Sequence, residues 1–597
     1  MRYIIAFGRE EREPKDMRNI RIECLAVVAI CLCSVALSPQ ACAATADSAP
    51  ISYSLSIPKT AGPSPSLRVD LAFDLGSSGT ADLNLPRSFA GHGQLWRYIH
   101  HIECSDCEIA AADDPWVRTV SAAPGARVHI SYLVGSSIEG EPTAESEQPY
   151  APWILPSWFY IGGEAVFAWP DEVRSNSADF HWKGPTDYKF ASTLDPSAHA
   201  PGASLTVSDV RKSTLMGGRD IRIAKDGRIR LAIHGEFQLS DGELLKAVAT
   251  IVRIERRFWG DLEDAPFLVT LASIAPTGQA PGAMSGNAKQ RGFAMAMTPN
   301  MPLERVERFL AHETFHNWNR RKLGMRAGGA TSKKADESDA WFIEGFADYY
   351  SRLFLYRSGL VELKDFVRDW NEQLIEYAQS PAKAATNAEI GDNFFKNPTF
   401  ERMAYLRGEI VAAKIDRTLR NLPSNPTSLD EVLRKQRAIA ATNPDKGAVE
   451  LFEELVLKAA PGLSSVFSQN VANGSPMKWP PNLFGSCIIV SDVDLPSFDR
   501  GFDAAATAAA DMVVSGVEKD GPAYAGGLRE GMRLLKHISG SAGDPTTDYA
   551  WEVELPSGQR KTIRWKPVGD GALHAQRLAE ISGAPVAASS CGLGASE

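Results

Sequence analysis

Cysteine is scarce in this chain of 597 residues: eight in all, too few for a fold built on disulfides. A surplus of basic charge is missing too. With 63 Lys and Arg against 73 Asp and Glu, the formal net charge is -10, which argues against a surface made to coat nucleic acid. Beyond the first 43 residues no apolar run reaches the roughly 20 residues that a membrane helix needs, so no stable span is expected in the mature chain. No internal repeat or low-complexity tract stands out. A hydrophobic share of 44% and a charged share of 23% exclude a disordered or fibrous chain. The length sets a prior of about four domains at roughly 150 residues each.

Residues 1–43 read as a leader. The apolar run Cys24–Leu37 follows Arg18 and Arg21, and Ala41-Cys42-Ala43 closes it with the small residues a signal peptidase reads. The charged stretch Met1–Asp16 precedes this signal, and Met17 is an alternative start. A periplasmic or secreted protein is expected. Removal of the leader leaves Cys104, Cys107, Cys487 and Cys591, and an even number in an exported chain suggests the pairs Cys104–Cys107 and Cys487–Cys591. No second Cys/His pair with zinc-site spacing follows Cys104 and Cys107, so a metal there is disfavoured.

From Ile51 to Val207 short alternating runs, such as Leu67–Phe73 and Val128–Leu133, are broken by Pro, Gly and Ser. This pattern predicts an N-terminal β-sandwich over 44–207. Helical spacing then takes over: Leu244, Leu245, Val248, Ile251, Val252, Ile254 and Phe258 form one apolar stripe. Strands are expected at Pro266–Ala272 and Arg291–Met297, and helices dominate from Leu303 to about Lys458. The prolines of Ser475–Pro481 suggest a linker, and Asp511–Val517 reads as a strand. The fold class is multidomain α+β.

The chemistry is concentrated in His312-Glu313-Thr314-Phe315-His316. On a helix, positions i and i+4 share a face, so both imidazoles can serve one ion while Glu313 acts as general base toward a water. Downstream, Trp341-Phe342-Ile343-Glu344-Gly345-Phe346-Ala347-Asp348 again has a helical pattern. Glu344 would complete a two-histidine, one-glutamate zinc site with one open position, and Asp348 can orient a ligand histidine one turn later. A carboxylate flanked by Trp341, Phe342, Ile343 and Phe346 calls for a partner.

These two segments, His312 to Asn319 and Trp341 to Tyr350, resemble the glycyl aminopeptidase family, metallopeptidase family 61, among the gluzincins. In weaker form the resemblance extends over nearly all of the mature chain, with Leu85-Pro86 and Phe159–Glu164 similar to the family's N-terminal β-domain. It implies a thermolysin-like zinc peptidase domain over 208–474, made of an α/β part and a helical part, with one catalytic zinc ion. It also implies an oxyanion-stabilising tyrosine in a Tyr-x-x-Gly motif, which Tyr405 to Gly408 matches. One departure stands out. Where such enzymes carry an amine-binding glutamate, residues 281–288 of this chain hold no acidic side chain, although the backbone of Gly282, Ala283 and Met284 can pair with an extended peptide. The last part, 485–597, resembles a PDZ-like domain, with Arg500, Gly501 and Phe502 as its peptide-end loop; Met532 departs from its pattern.

The expected function is therefore an exported, aminopeptidase-like zinc metallopeptidase acting on peptides or unfolded polypeptides. The alternatives are a zinc endopeptidase without selectivity for a free amine, and a non-catalytic PDZ-type scaffold with a structural zinc.

Overall fold

Alternation along Ser66–Asp74 produces a strand buried on one face only, every second residue facing the core. It lies inside a six-stranded sheet ordered Leu205–Thr206, Ser177–Lys183, Ile51–Ser56, Ser66–Asp74, Arg127–Gly135, Ile99–Cys104. A four-stranded sheet containing Thr80–Asn84 and Val117–Ser121 shares its core, in which Tyr53, Leu71, Phe73, Leu83, Val120 and Ile130 meet. The computed structural model describes residues 49–595 apart from 59–63, 90–91, 145–149, 172–175, 196–203, 262–264, 277–281, 321, 325–336, 425, 444–445, 511, 541–542 and 584–586. The leader expected at 1–43 lies outside the described residues.

A mixed five-stranded sheet comes next, ordered Arg222–Asp226, Ile229–His234, Phe267–Ser273, Gly292–Met297, Met284–Lys289. Its three central strands are parallel and its two edges antiparallel. Parallel strands are covered on both faces, which is why Phe267–Ser273 is apolar almost throughout. One face packs on the helices Asp241–Trp259 and Leu303–Asn319. The other packs on Trp158, Tyr160 and Met216 of a further sheet, whose strand Thr214–Gly218 runs past the boundary expected at Val207. A capping box between Ser240 and Glu243 starts the Asp241–Trp259 helix, and Gly260, at φ 69°, ends it.

The helices Ala340–Arg357, Leu363–Gln379, Pro398–Arg420, Leu429–Ala440 and Ala448–Ala459 close around one aromatic-rich core. Within Ser475–Pro481, expected as a linker, Met477 packs against this core and Trp479 is buried in it, while Ser475, Pro476, Lys478 and Pro481 are exposed. The prolines do prevent regular structure, but Trp479 is buried against Trp370, ring centroids 5.1 Å apart, and its indole N–H donates to Ile410 O. The disulfide Cys487–Cys591 lies in the same core, and Cys104–Cys107 bridges Ile99–Cys104 to Glu108–Ala111. Beyond it the antiparallel strands Ile488–Phe498 and Val568–Glu580 frame a three-stranded sheet of Arg533–Ser539, Tyr549–Glu554 and Arg560–Trp565, with its own small core around Val514, Leu534, Val553 and Trp565. The strand expected at Asp511–Val517 is reduced, among the described residues, to a single bridge from Val513 to Arg533, because Met512 and Gly516 adopt φ of 62° and 68° and break the extended run. Among the described residues no helix is long and apolar enough to cross a membrane.

Candidate metal centre

The helix Leu303–Asn319 begins after Pro302, carries Glu304 in its first turn and buries both faces of its second half. His312 and His316 therefore share one face inside the protein. The helix Ala340–Arg357 runs past them and presents Glu344, which is fully buried. His312 Nε2 lies 3.2 Å from His316 Nε2, and Glu344 Oε2 lies 3.3 Å from each of the two nitrogens. A tetrahedral ion with bonds of about 2.0 Å sets its ligands about 3.3 Å apart, so this triangle matches three vertices of a zinc coordination shell.

The outer nitrogens fix the tautomers. His312 Nδ1 donates to Asp348 Oδ1 at 2.8 Å, and His316 Nδ1 donates to Asn319 Oδ1 at 3.1 Å, which leaves both Nε2 lone pairs turned inward. Asn319 is itself held, its amide donating to Ile343 O at 2.7 Å. Three donor atoms brought this close together, each imidazole presenting its Nε2 in the tautomer that Asp348 and Asn319 favour, fit a divalent cation. A second close group of such side chains, Cys104, Asp106 and Cys107, has its two sulfurs bonded to each other.

Two further groups face this point. Glu313 Oε1 and the Tyr405 hydroxyl are buried without a hydrogen-bond partner among the described residues, as is Glu344 Oε1. Burial pushes the Glu313 carboxyl up, opposed by the neighbouring histidines. Burial, and then the charges of Glu344 and Glu401, push the Tyr405 phenol well up, so it stays protonated as a donor. The Tyr405 ring stacks on His312, centroids 5.9 Å apart.

Tyr405 arrives there because two helices cross at glycines. A Cβ on Gly408 would stand 1.9 Å from Trp341 O, and one on Gly345 would stand 2.3 Å from Gly408 Cα. Only bare backbones can approach so closely, and that approach sets Tyr405, one turn before Gly408, beside Glu344. Gly408→Ala must force the helices apart. We expect it to cost about 1–3 kcal/mol of stability and to lower activity more than a surface Gly462→Ala, measured as denaturation midpoint and hydrolysis rate.

The remaining sequence-predicted positions are placed as follows. Asp348 also meets Arg402 Nη1 at 3.4 Å, and Arg402 in turn binds Glu376 and Gln373. Gly282, Ala283 and Met284 lead into the edge strand Met284–Lys289, which lies beside the motif helix. Ala283 exchanges hydrogen bonds with Thr298, so the antiparallel ladder turns the N–H and C=O of Met284 to the free edge; Gly286 O is taken by the Tyr150 hydroxyl. In the C-terminal part, Arg500 lies over the rings of Phe498 and Phe502, and Gly501 N–H donates to Asp499 Oδ1 at 2.7 Å. That donor is thus engaged within the chain. Asn319, Arg402 and Glu401 had no assigned role in the sequence; only the i, i+3 spacing of Asn319 from His316 could have pointed to one.

Residues 305–399, which carry both ligand helices, match the model of the M61 glycyl aminopeptidase family. No curated protein matches the chain. Among solved structures, an aminopeptidase N family protein from Idiomarina loihiensis superposes with a TM-score of 0.61 at 12% identity, over 89% of this chain and 98% of that one. An M1 zinc metallopeptidase from Deinococcus radiodurans gives a TM-score of 0.42 at 16% identity, over 72% and 95%. The first likeness is one of fold, and it extends across the β-rich N-terminal part, the mixed sheet and the helices.

Proposed function

We propose that this protein is an exported zinc metallopeptidase, aminopeptidase-like, with His312, His316 and Glu344 as the zinc ligands. The observation that carries the reading is the triangle of 3.2–3.3 Å between their donor atoms, with Glu313 and Tyr405 unpartnered beside it. The match of residues 305–399 to a peptidase family supports it. Bound zinc would act as a Lewis acid toward a carbonyl oxygen and lower the pKa of a water. Glu313 takes the proton of that water as its oxygen adds to the peptide carbonyl carbon. It then returns the proton to the leaving nitrogen as the C–N bond breaks. Tyr405 donates to the carbonyl oxygen as negative charge develops on it. Asp348 and Asn319 hold the imidazoles in the tautomer that ligates.

The two disulfides support export, since such pairs persist in oxidising compartments. We also read 485–597 as carrying a PDZ-like module, on its three-stranded sheet and the short helix Pro522–Ala525. An endopeptidase is the second reading, favoured by the lack of an acidic side chain in residues 281–288. A peptide library with free and N-acetylated termini tests both. Cleavage restricted to free termini supports the aminopeptidase, equal cleavage of both supports the endopeptidase, and no cleavage by zinc-loaded protein contradicts the proposal.

A further inference from the structure

Glu401 lies in the first turn of Pro398–Arg420, four residues before Tyr405, so the two side chains occupy one helix face a single turn apart. Its carboxylate is half-buried and has no hydrogen-bond or ion partner among the described residues. It does not cap its helix, because Asn397 does: the Asn397 side chain accepts from Thr399 N at 2.9 Å. Nor does Arg402, the next residue, neutralise it, since that guanidinium is engaged by Glu376, Gln373 and Asp348. Burial, and then the negative charge of Glu344, push the Glu401 carboxyl up to about 7.

The Glu401 oxygens stay open to water, so an arriving cation can reach them and pair with them where the buried side of the residue weakens solvent screening. Glu255, another carboxylate lacking hydrogen bonds among the described residues, is fully buried and cannot be reached from solvent. Glu401 keeps an exposed side and stands on the flank of the phenol that faces the metal point. The edge strand, by contrast, offers an arriving amine no acidic side chain: Ser285, Asn287 and Lys289 are its buried polar residues, and Lys289 is itself a cation paired with Glu164.

We infer that Glu401 is a specificity-determining residue that receives a cationic group at the substrate's N-terminal end, either the free α-ammonium or the charged side chain of a first-position Lys or Arg. The inference rests on the peptidase reading of the same site, and its test separates the two. The probes are alanyl, lysyl and arginyl p-nitroanilides, each free and N-acetylated, with wild type, Glu401→Gln and the charge-reversed Glu401→Lys, all zinc-loaded. If the α-ammonium is the ligand, Glu401→Gln lowers the free-to-acetylated ratio of kcat/KM about tenfold for all three, and Glu401→Lys lowers it further. If the side chain is the ligand, the loss falls on the Lys and Arg substrates, acetylated or not, and spares alanine. Binding of the free and acetylated tripeptide Lys-Ala-Ala to the Glu313→Gln protein, followed by calorimetry, gives a readout that needs no turnover. The same roughly tenfold loss of affinity is expected there with Glu401→Gln. Absence of turnover by the wild type, with that affinity loss intact, defeats the peptidase reading and leaves Glu401 as a cation-binding residue. Ratios and affinities unchanged within about twofold overturn the role of Glu401, whatever the activity.

Discussion

Glu313→Gln is expected to keep one zinc ion bound and to lose roughly 10²–10⁴-fold in kcat, with little change in KM. The argument rests on what Glu313 touches. It is not among the three donors of the ligand triangle, and Gln has the same length and volume, so metal affinity has no reason to fall. What disappears is a buried carboxylate oxygen beside the ligand triangle that, among the described residues, neither ligates nor is held by a neighbour. Its Oε1 has no partner among the described residues, in a setting where an idle buried carboxylate is destabilising. A scaffold with a structural zinc would gain from replacing that carboxylate with a neutral amide. Both accounts therefore predict that the variant unfolds no earlier than wild type, and only the peptidase account predicts that an active enzyme becomes inert. Zinc content, steady-state kinetics and thermal unfolding on the same sample check all three points.

Cys591→Ser, or reduction of the intact protein, is expected to destabilise the helical part by about 2–5 kcal/mol. Cys487 and Cys591 are 104 residues apart in sequence, with Cα atoms 5.3 Å apart. Closing so long a loop removes much of the unfolded chain's freedom, whereas Cys104–Cys107, three residues apart, removes little. Both cysteines and Leu593 belong to the core that also holds Trp479, Phe484 and Tyr405, and the Tyr356 hydroxyl lies 3.6 Å from Cys591 Sγ, so the last residues are tied into that core. Arg357 Nε reinforces this by donating to Leu593 O at 2.7 Å. Denaturant midpoints of the two serine variants, Cys591→Ser and Cys104→Ser, should differ widely. Equal midpoints would contradict this account of the C-terminal segment.

The legible part of the site was its chemistry at short range. Spacing of i and i+4 placed His312 and His316 on one face, and Glu344 and Asp348 share a face for the same reason. Alternation found strands such as Ser66–Asp74, and the continuous apolar run marked the covered strand Phe267–Ser273. What stayed hidden depends on contacts between distant segments. Nothing local in Glu344-Gly345 and Tyr405-to-Gly408 says that the two glycines meet, yet that meeting places the phenol. The prolines around Trp479 read as a linker because local rules see broken backbone but not a buried indole. Asp511–Val517 alternates like a strand, but local propensity does not register the left-handed backbone at Met512 and Gly516. Nothing in the sequence around Glu401 distinguishes it from other acidic residues of a first helical turn, because its surroundings are set by the packing of distant segments.

The most direct test of the zinc-peptidase account is a titration: the protein is stripped of metal with a chelator, zinc is returned in steps, and hydrolysis of a peptide with a free N-terminus is followed. The account predicts no hydrolysis by the stripped protein and a rise that levels off at one zinc per chain, abolished when Glu344 is replaced by Ala. Full hydrolysis without metal, or an unchanged titration in Glu344→Ala, would contradict it.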